Sequence, residues 1–121
     1  QHAGRESLEA LRQGLAAMGI EALAEFQPGE GGENVLVLAY AGIGQPGSAE
    51  FLAQQSLVSF AGSRIAARTV VPGVDGLVVV WLNSDGNAVG LLEIRAQDAK
   101  LWELGVLNDA QFTSFWRAIE P

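Results

Sequence analysis

The hydrophobic positions of this chain change period several times, and each change marks an element. In residues 7–18, Leu8, Leu11, Leu15 and Met18 recur at spacings of three and four, the stripe of an amphipathic helix. Ser7 is placed to cap that helix and Gly19 to stop it in the left-handed conformation. From residue 20 the period falls to two: Ile20, Ala22, Ala24 and Phe26 alternate with Glu21, Leu23 and Glu25, which predicts a strand with one wet face. Pro28 and the glycines after it form a turn. Residues 35–41 are apolar throughout and predict a strand buried on both faces.

A second loop, 42–47, leads to Ser48, the cap of a long helix reaching about residue 66. Its inward residues are expected to be Phe51, Leu52, Leu57, Val58, Ala61 and Ile65. Gly62 inside it costs about 1 kcal/mol against alanine, so it is expected where helix and sheet approach closely. A short strand, 69–71, ends at Pro72-Gly73. Strand 77–83, apolar on both faces and expected to be buried like 35–41, is joined to strand 88–96 by Ser84-Asp85-Gly86-Asn87, an Asp-Gly hairpin signal between apolar runs.

The chain closes with a helical turn, 98–104, stopped by Gly105, and a final helix, 108–119. Asn108 and Gln111 form a capping box there, and Leu107 on Phe112 is its staple. Phe112, Phe115, Trp116 and Ile119 continue that helix as an i, i+3, i+4, i+7 stripe.

Together these elements predict a single α+β domain spanning 1–121 in the order α-ββ-α-βββ-α. Its mainly antiparallel sheet of four or five strands would carry helices 7–18, 48–66 and 108–119 chiefly on one face. The two halves echo each other, each with a helix, an isoleucine, a Pro-Gly pair and an apolar strand, as a duplicated αββ unit packed into an antiparallel sheet would.

Composition narrows the function classes. The chain is 49% hydrophobic and 17% charged, which excludes intrinsic disorder, and no apolar run is long enough to span a membrane. Net charge is −7 and the seven bases are dispersed, so nucleic acid and anionic membrane surfaces are poor partners. There is no cysteine, and the one histidine is His2, which removes the residues most often used for nucleophilic, metal and proton-transfer chemistry. The opening residue, Gln1, is no initiator methionine, which fits an upstream leader or anchor.

The remaining candidates for chemistry each fail on spacing. The loop beginning at Asn83 has oxygen donors at alternate positions, but Ala88 and Ile94 stand where a calcium loop needs glycine and glutamate. The glycines at 29–32 and 42–47 contain no lysine, and Pro46 interrupts the second run, so neither matches a phosphate loop. Glu21 and Glu25 lie about 13 Å apart on one strand face, too far for a carboxylate pair. Glu93 and Arg95 are expected to pair on the outward face of the last strand. Ser56, Ser59 and Ser63 have no base in reach. Trp81, Trp102 and Trp116 are expected to fill core space. No catalytic, cofactor or metal site is predicted, and the chain is not expected to be an enzyme.

The segment 101–112, with Trp102, Gly105 and the capped helix after it, resembles small α+β domains of unknown function in prokaryotic proteins that are often exported or lipid-anchored. The likeness covers about a third of the chain and implies an exported rather than a cytoplasmic location. The element order is also similar to the roadblock/longin topology. Both likenesses concern structure and carry no catalytic residue.

The expected function is a non-catalytic interaction or sensory module acting on a protein partner or on itself. The alternative is a carrier of a small apolar ligand, with a pocket beside Ala53, Ala61, Gly62 and Ala66. Surplus hydrophobicity favours a homodimer seam, expected at Val89 and Leu91 together with Leu101, Trp102 and Leu104.

Overall fold

The computed structural model describes residues 2–29, 31–69 and 73–119. Helix α1 (His2–Ala17) leads to β1 (Ala22–Pro28) and β2 (Asn34–Ala41), and the long helix α2 (Ala49–Arg68) to β3 (Gly76–Leu82) and β4 (Ala88–Arg95). Two short helices, α3 (Ala96–Glu103) and α4 (Asp109–Ser114), and a short strand, β5 (Arg117–Ile119), complete the fold. The five strands lie side by side in chain order. Three of the four pairings are antiparallel, and β2–β3 is parallel. The sheet is therefore mixed, with α2 as the crossover that a parallel pair requires.

Several stops and starts follow from local chemistry. Gly19, with φ +81°, ends α1 in a Schellman motif: Ile20 N–H reaches Leu15 C=O and Gly19 N–H reaches Ala16 C=O. Gly105 repeats the motif after α3, with Val106 bonded to Leu101 and Gly105 to Trp102. Ser48 caps α2 through Phe51 N–H, and the Asn108–Gln111 capping box closes in both directions. The β3–β4 turn is held by Asn83, whose Oδ1 accepts from Asp85 and Asn87 N–H at 3.0 Å.

Other expectations are corrected. Ser7 lies inside α1, which begins five residues earlier. The first strand is Ala22–Pro28 rather than 20–26, because Ile20 completes the Schellman turn and is buried there. Of the short strand expected at 69–71, Thr69 caps α2 by donating to Ile65 C=O; Val70 and Val71 lie outside the described residues. The turn expected at 98–104 is the eight-residue helix α3.

The final helix stops at Ser114, and the chain extends to pair Ala118 with Leu92 and Arg117 with Glu93. Phe112 is buried from that intended stripe, whereas Phe115 is exposed and Ile119 belongs to β5. The element order is thus α-ββ-α-ββ-αα-β, with four helices. Each of α1 and α2 is followed by an antiparallel strand pair, but the two pairs meet through the parallel β2–β3 contact, not an antiparallel junction.

The core lies between one face of the sheet and the helices. Leu36, Leu38 and Tyr40 of β2, Leu77 and Val79 of β3, and Leu92 and Ile94 of β4 pack against Leu8, Leu11 and Leu15 of α1, Val58 and Ala66 of α2, and Phe112 of α4. The buried side of α2 is narrower and more polar than expected. Leu52 and Leu57 face solvent, and Gln54, Ser59, Gly62 and Ser63 lie inside.

Small residues let the helix settle onto the sheet. A Cβ on Gly62 would stand 2.9 Å from Leu38 Cδ2 and 3.1 Å from Leu77 Cδ2. Buried Gln54 then ties the helix to the end of β2, donating to Ala41 C=O at 3.1 Å and accepting from Ile43 N–H at 3.0 Å. The other end of the parallel pair is fixed by Asp75, whose carboxylate accepts from Asn34 N–H while its own N–H donates to Asn34 C=O.

Candidate functional site

Strand alternation sends every second residue to the sheet face opposite the helices, and cross-strand register sorts those residues into rows. One row runs Leu23, Ala39, Val80, Leu91, Ile119 across all five strands and contains no polar side chain. The next row is Glu25, Val37, Val78, Glu93, Arg117, with its charged residues toward the two edges. Val35, Ala41 and Leu82 extend the apolar surface toward the ends of the strands.

No described helix covers this face. Its residues are half-buried by their own neighbours, and Leu23, on the edge strand, is 65% exposed. This corrects the expectation that 35–41 and 77–83 are buried on both faces. Their continuous apolar character is used on one side by the core and left open on the other.

The open face is not flat. Alanines at 39 and 41 stand between the larger Leu23 and Leu82, and α1 flanks the β1 edge, where Arg12 donates to Ala22 C=O and pairs with Glu9 at 3.0 Å. The result is a hollow of about 490 Å³ lined by Arg12, Gln13, Leu23, Ala39, Ala41 and Leu82 among others. A smaller one of about 260 Å³ adjoins it over Leu23, Glu25, Val37 and Ala39.

The expected seam residues fall on two sides of the sheet. Val89 and Leu91 belong to the open face. Leu101 and Trp102 belong to α3 on the helix side, and Leu104 follows α3, 77% exposed. Trp102 stacks on Phe112 at 4.9 Å, meets Phe60 at 5.2 Å, and donates its indole N–H to Asp109 at 2.8 Å. The five therefore form no single surface. Trp81 and Trp116 also pack against the core, as expected of structural aromatics. Glu93 pairs with Arg117 at 3.7 Å and Arg95 with Asp98 at 3.2 Å, in place of the expected Glu93–Arg95 pair. The Arg117 partner has no signature in the sequence, where local spacing places residue 117 in a helix.

The interior holds little reactive chemistry. Burial pushes the Tyr40 phenol up to about 12, and its hydroxyl has no hydrogen-bond partner among the described residues. Among the described residues, no three His, Asp or Glu side chains are grouped to hold a metal ion, and no helix is long and apolar enough to cross a membrane. At Gly62 the space between α2 and the sheet, where a carrier pocket was expected, is filled by Leu38 and Leu77. No family model, curated protein or solved structure matches the chain.

Proposed function

We propose that this chain is a non-catalytic protein-interaction domain whose working surface is the open face of its sheet. One observation carries the reading: an apolar row crosses all five strands, Leu23–Ala39–Val80–Leu91–Ile119, while the helices pack on the opposite side. Antiparallel sheets usually alternate apolar and polar residues when one face meets water. Here β2 and β3 are apolar on both sides, and a contiguous apolar surface with a charged rim marks a place where another molecule sits. The non-catalytic part rests on the residue inventory, with no cysteine and its one histidine at position 2. The close contact of Gly62 with Leu38 and Leu77 favours this reading over a ligand carrier.

Photo-crosslinking tests it. A benzophenone side chain introduced at Val37, on the open face, is expected to capture protein in the cells that make this chain. The same group at Ser56, exposed on α2, is expected to capture none. Absence of any protein adduct from position 37 would overturn the proposal.

A further inference from the structure

We infer that the occupant of the open face is a second copy of this chain, packed sheet to sheet about a two-fold axis nearly parallel to the strands. The inference rests on the interaction-face reading and names its partner. Three features of the face point to self-recognition.

The first is shape. A two-fold along the central strand, β3, reverses the strand order of one sheet over the other. The apolar row then meets itself in reverse: Leu23 faces the partner's Ile119, Ala39 faces the partner's Leu91, and Val80 faces the partner's Val80. The small residue meets the large one, so Leu91 of each copy enters the hollow that Ala39 leaves beside Leu23 in the other. Alternating large and small residues is how facing layers interdigitate.

The second is charge. The chain carries −7, yet the strand positions of this face hold Glu25, Glu93, Arg95 and Arg117, which sum to zero. Two copies thus meet without the repulsion their net charges would otherwise bring. The same two-fold sets Glu25 on the β1 edge against the partner's Arg117 on the β5 edge, twice over. Aligned sheets cross at about 30°, so the axis is inclined about 15° to β3 and the edges are offset by about 5 Å, a distance that the long Glu and Arg side chains span. A face so balanced does not suit an anionic membrane or a strongly charged partner.

The third is size. Four strands of about seven residues and the three-residue β5, at about 4.8 Å between strands and about 3.3 Å per residue, give a face on the order of 500 Å² in projection, below the ~800 Å² of accessible surface per partner of a standard specific interface.

Sedimentation equilibrium on the purified chain tests the inference. The wild type is expected to be a dimer above about 10 μM. Val80→Glu, which puts two carboxylates on the axis, is expected to weaken it by on the order of a hundredfold. Glu25→Arg, which sets two arginines against each other at each edge, should weaken it less. Leu104→Glu, away from the face, should change nothing.

Because Val80→Glu could perturb folding, Val80→Cys provides a second arm that is close to isosteric. The chain has no other cysteine, so a short bismaleimide should link two copies through position 80 but not through Ser56→Cys. Sheets stacked about 10 Å apart place the two thiols beyond direct disulfide reach, which is why a linker is used. A monomer at about 100 μM, or a dimer indifferent to Val80→Glu and not linked through position 80, overturns the inference. If the chain is monomeric while position 37 captures a different protein, self-recognition fails and the interaction-face reading stands.

Discussion

Gly90 and Trp81 stand opposite each other in the β3–β4 pair, and the indole ring of Trp81 lies where a side chain on residue 90 would have to be. The register shifts immediately beyond this pair, between Trp81 and Leu82, and Phe51 holds the other side of the ring in an edge contact at 5.0 Å. The ring is therefore clamped between a backbone and an aromatic edge. Gly90→Ala is expected to cost about 2–3 kcal/mol, the range for forcing extra volume into a packed core. Urea unfolding monitored by tryptophan fluorescence measures it. A loss below about 0.5 kcal/mol would show that the indole moves aside freely.

The same substitution should change sign between two helical glycines. Gly14 is exposed on α1, with nothing within 4 Å of an added Cβ, so Gly14→Ala should stabilise by about 0.5–1 kcal/mol through backbone entropy and helix propensity. Gly62 has the same propensity to gain, but its added Cβ meets the fully buried Leu38 and Leu77. Gly62→Ala is expected to lose about 1 kcal/mol net. Thermal melts of the two variants side by side give the comparison.

Tyr40 is the only tyrosine, so phenolate absorbance near 295 nm reports it alone. Its midpoint is expected near pH 12 in the folded protein, raised by burial from 10.0. Between those values the unfolded chain loses its phenolic proton and the folded chain keeps it. Stability should therefore be intact below about pH 10 and fall by on the order of 2 kcal/mol as pH rises to about 12. Tyr40→Phe should remove Tyr40's part of that slope. It should also cost little at neutral pH, because the buried hydroxyl has no partner to lose.

Asn108→Ala removes the side chain that accepts from Gln111 N–H at 2.8 Å and leaves half of the capping box. A loss of about 1 kcal/mol is expected. Because α4 has only six residues and carries Phe112 into the aromatic cluster, the change should also alter near-ultraviolet circular dichroism from Trp102 and Trp116. Gln111→Ala should show a smaller loss of the same kind.

The parts of the fold that are legible in the sequence rest on contacts close along the chain. Gly19 and Gly105 as helix stops, Ser48 as a cap, the Asn108–Gln111 box and the Asp85-Gly86 turn are each decided within six residues. Sequence pattern and structure part where a distant partner matters more than the local pattern. Phe112, Phe115, Trp116 and Ile119 have helical spacing, yet the free edge of β4 offers hydrogen bonds to 117–119 and draws that segment into the sheet. Leu52 and Leu57 look like core residues by type, but they lie off the side of α2 that meets the sheet, where Gln54, Ser59, Gly62 and Ser63 are buried beside Phe51 and Val58. The role of Gln54 follows from the neighbouring Ala41 and Ile43 backbone and has no signature in the sequence.

By itself the sequence determined the class of the protein, the identity of most elements, and the two strands that are apolar on both sides, because period and turn chemistry are properties of short stretches of chain. Only the tertiary structure decided which side of those doubly apolar strands the helices cover. A run such as 35–41 satisfies a central strand covered on both faces and a strand half open to solvent equally well, since its composition is the same in each. The difference lies in where helices 2–17, 49–68, 96–103 and 109–114 pack, and they share one side because contiguous burial of Leu8, Leu15, Val58 and Phe112 against Leu36, Leu38 and Leu77 forms a single core. The four described helices cover one face of the five-stranded sheet, and none of them covers the other.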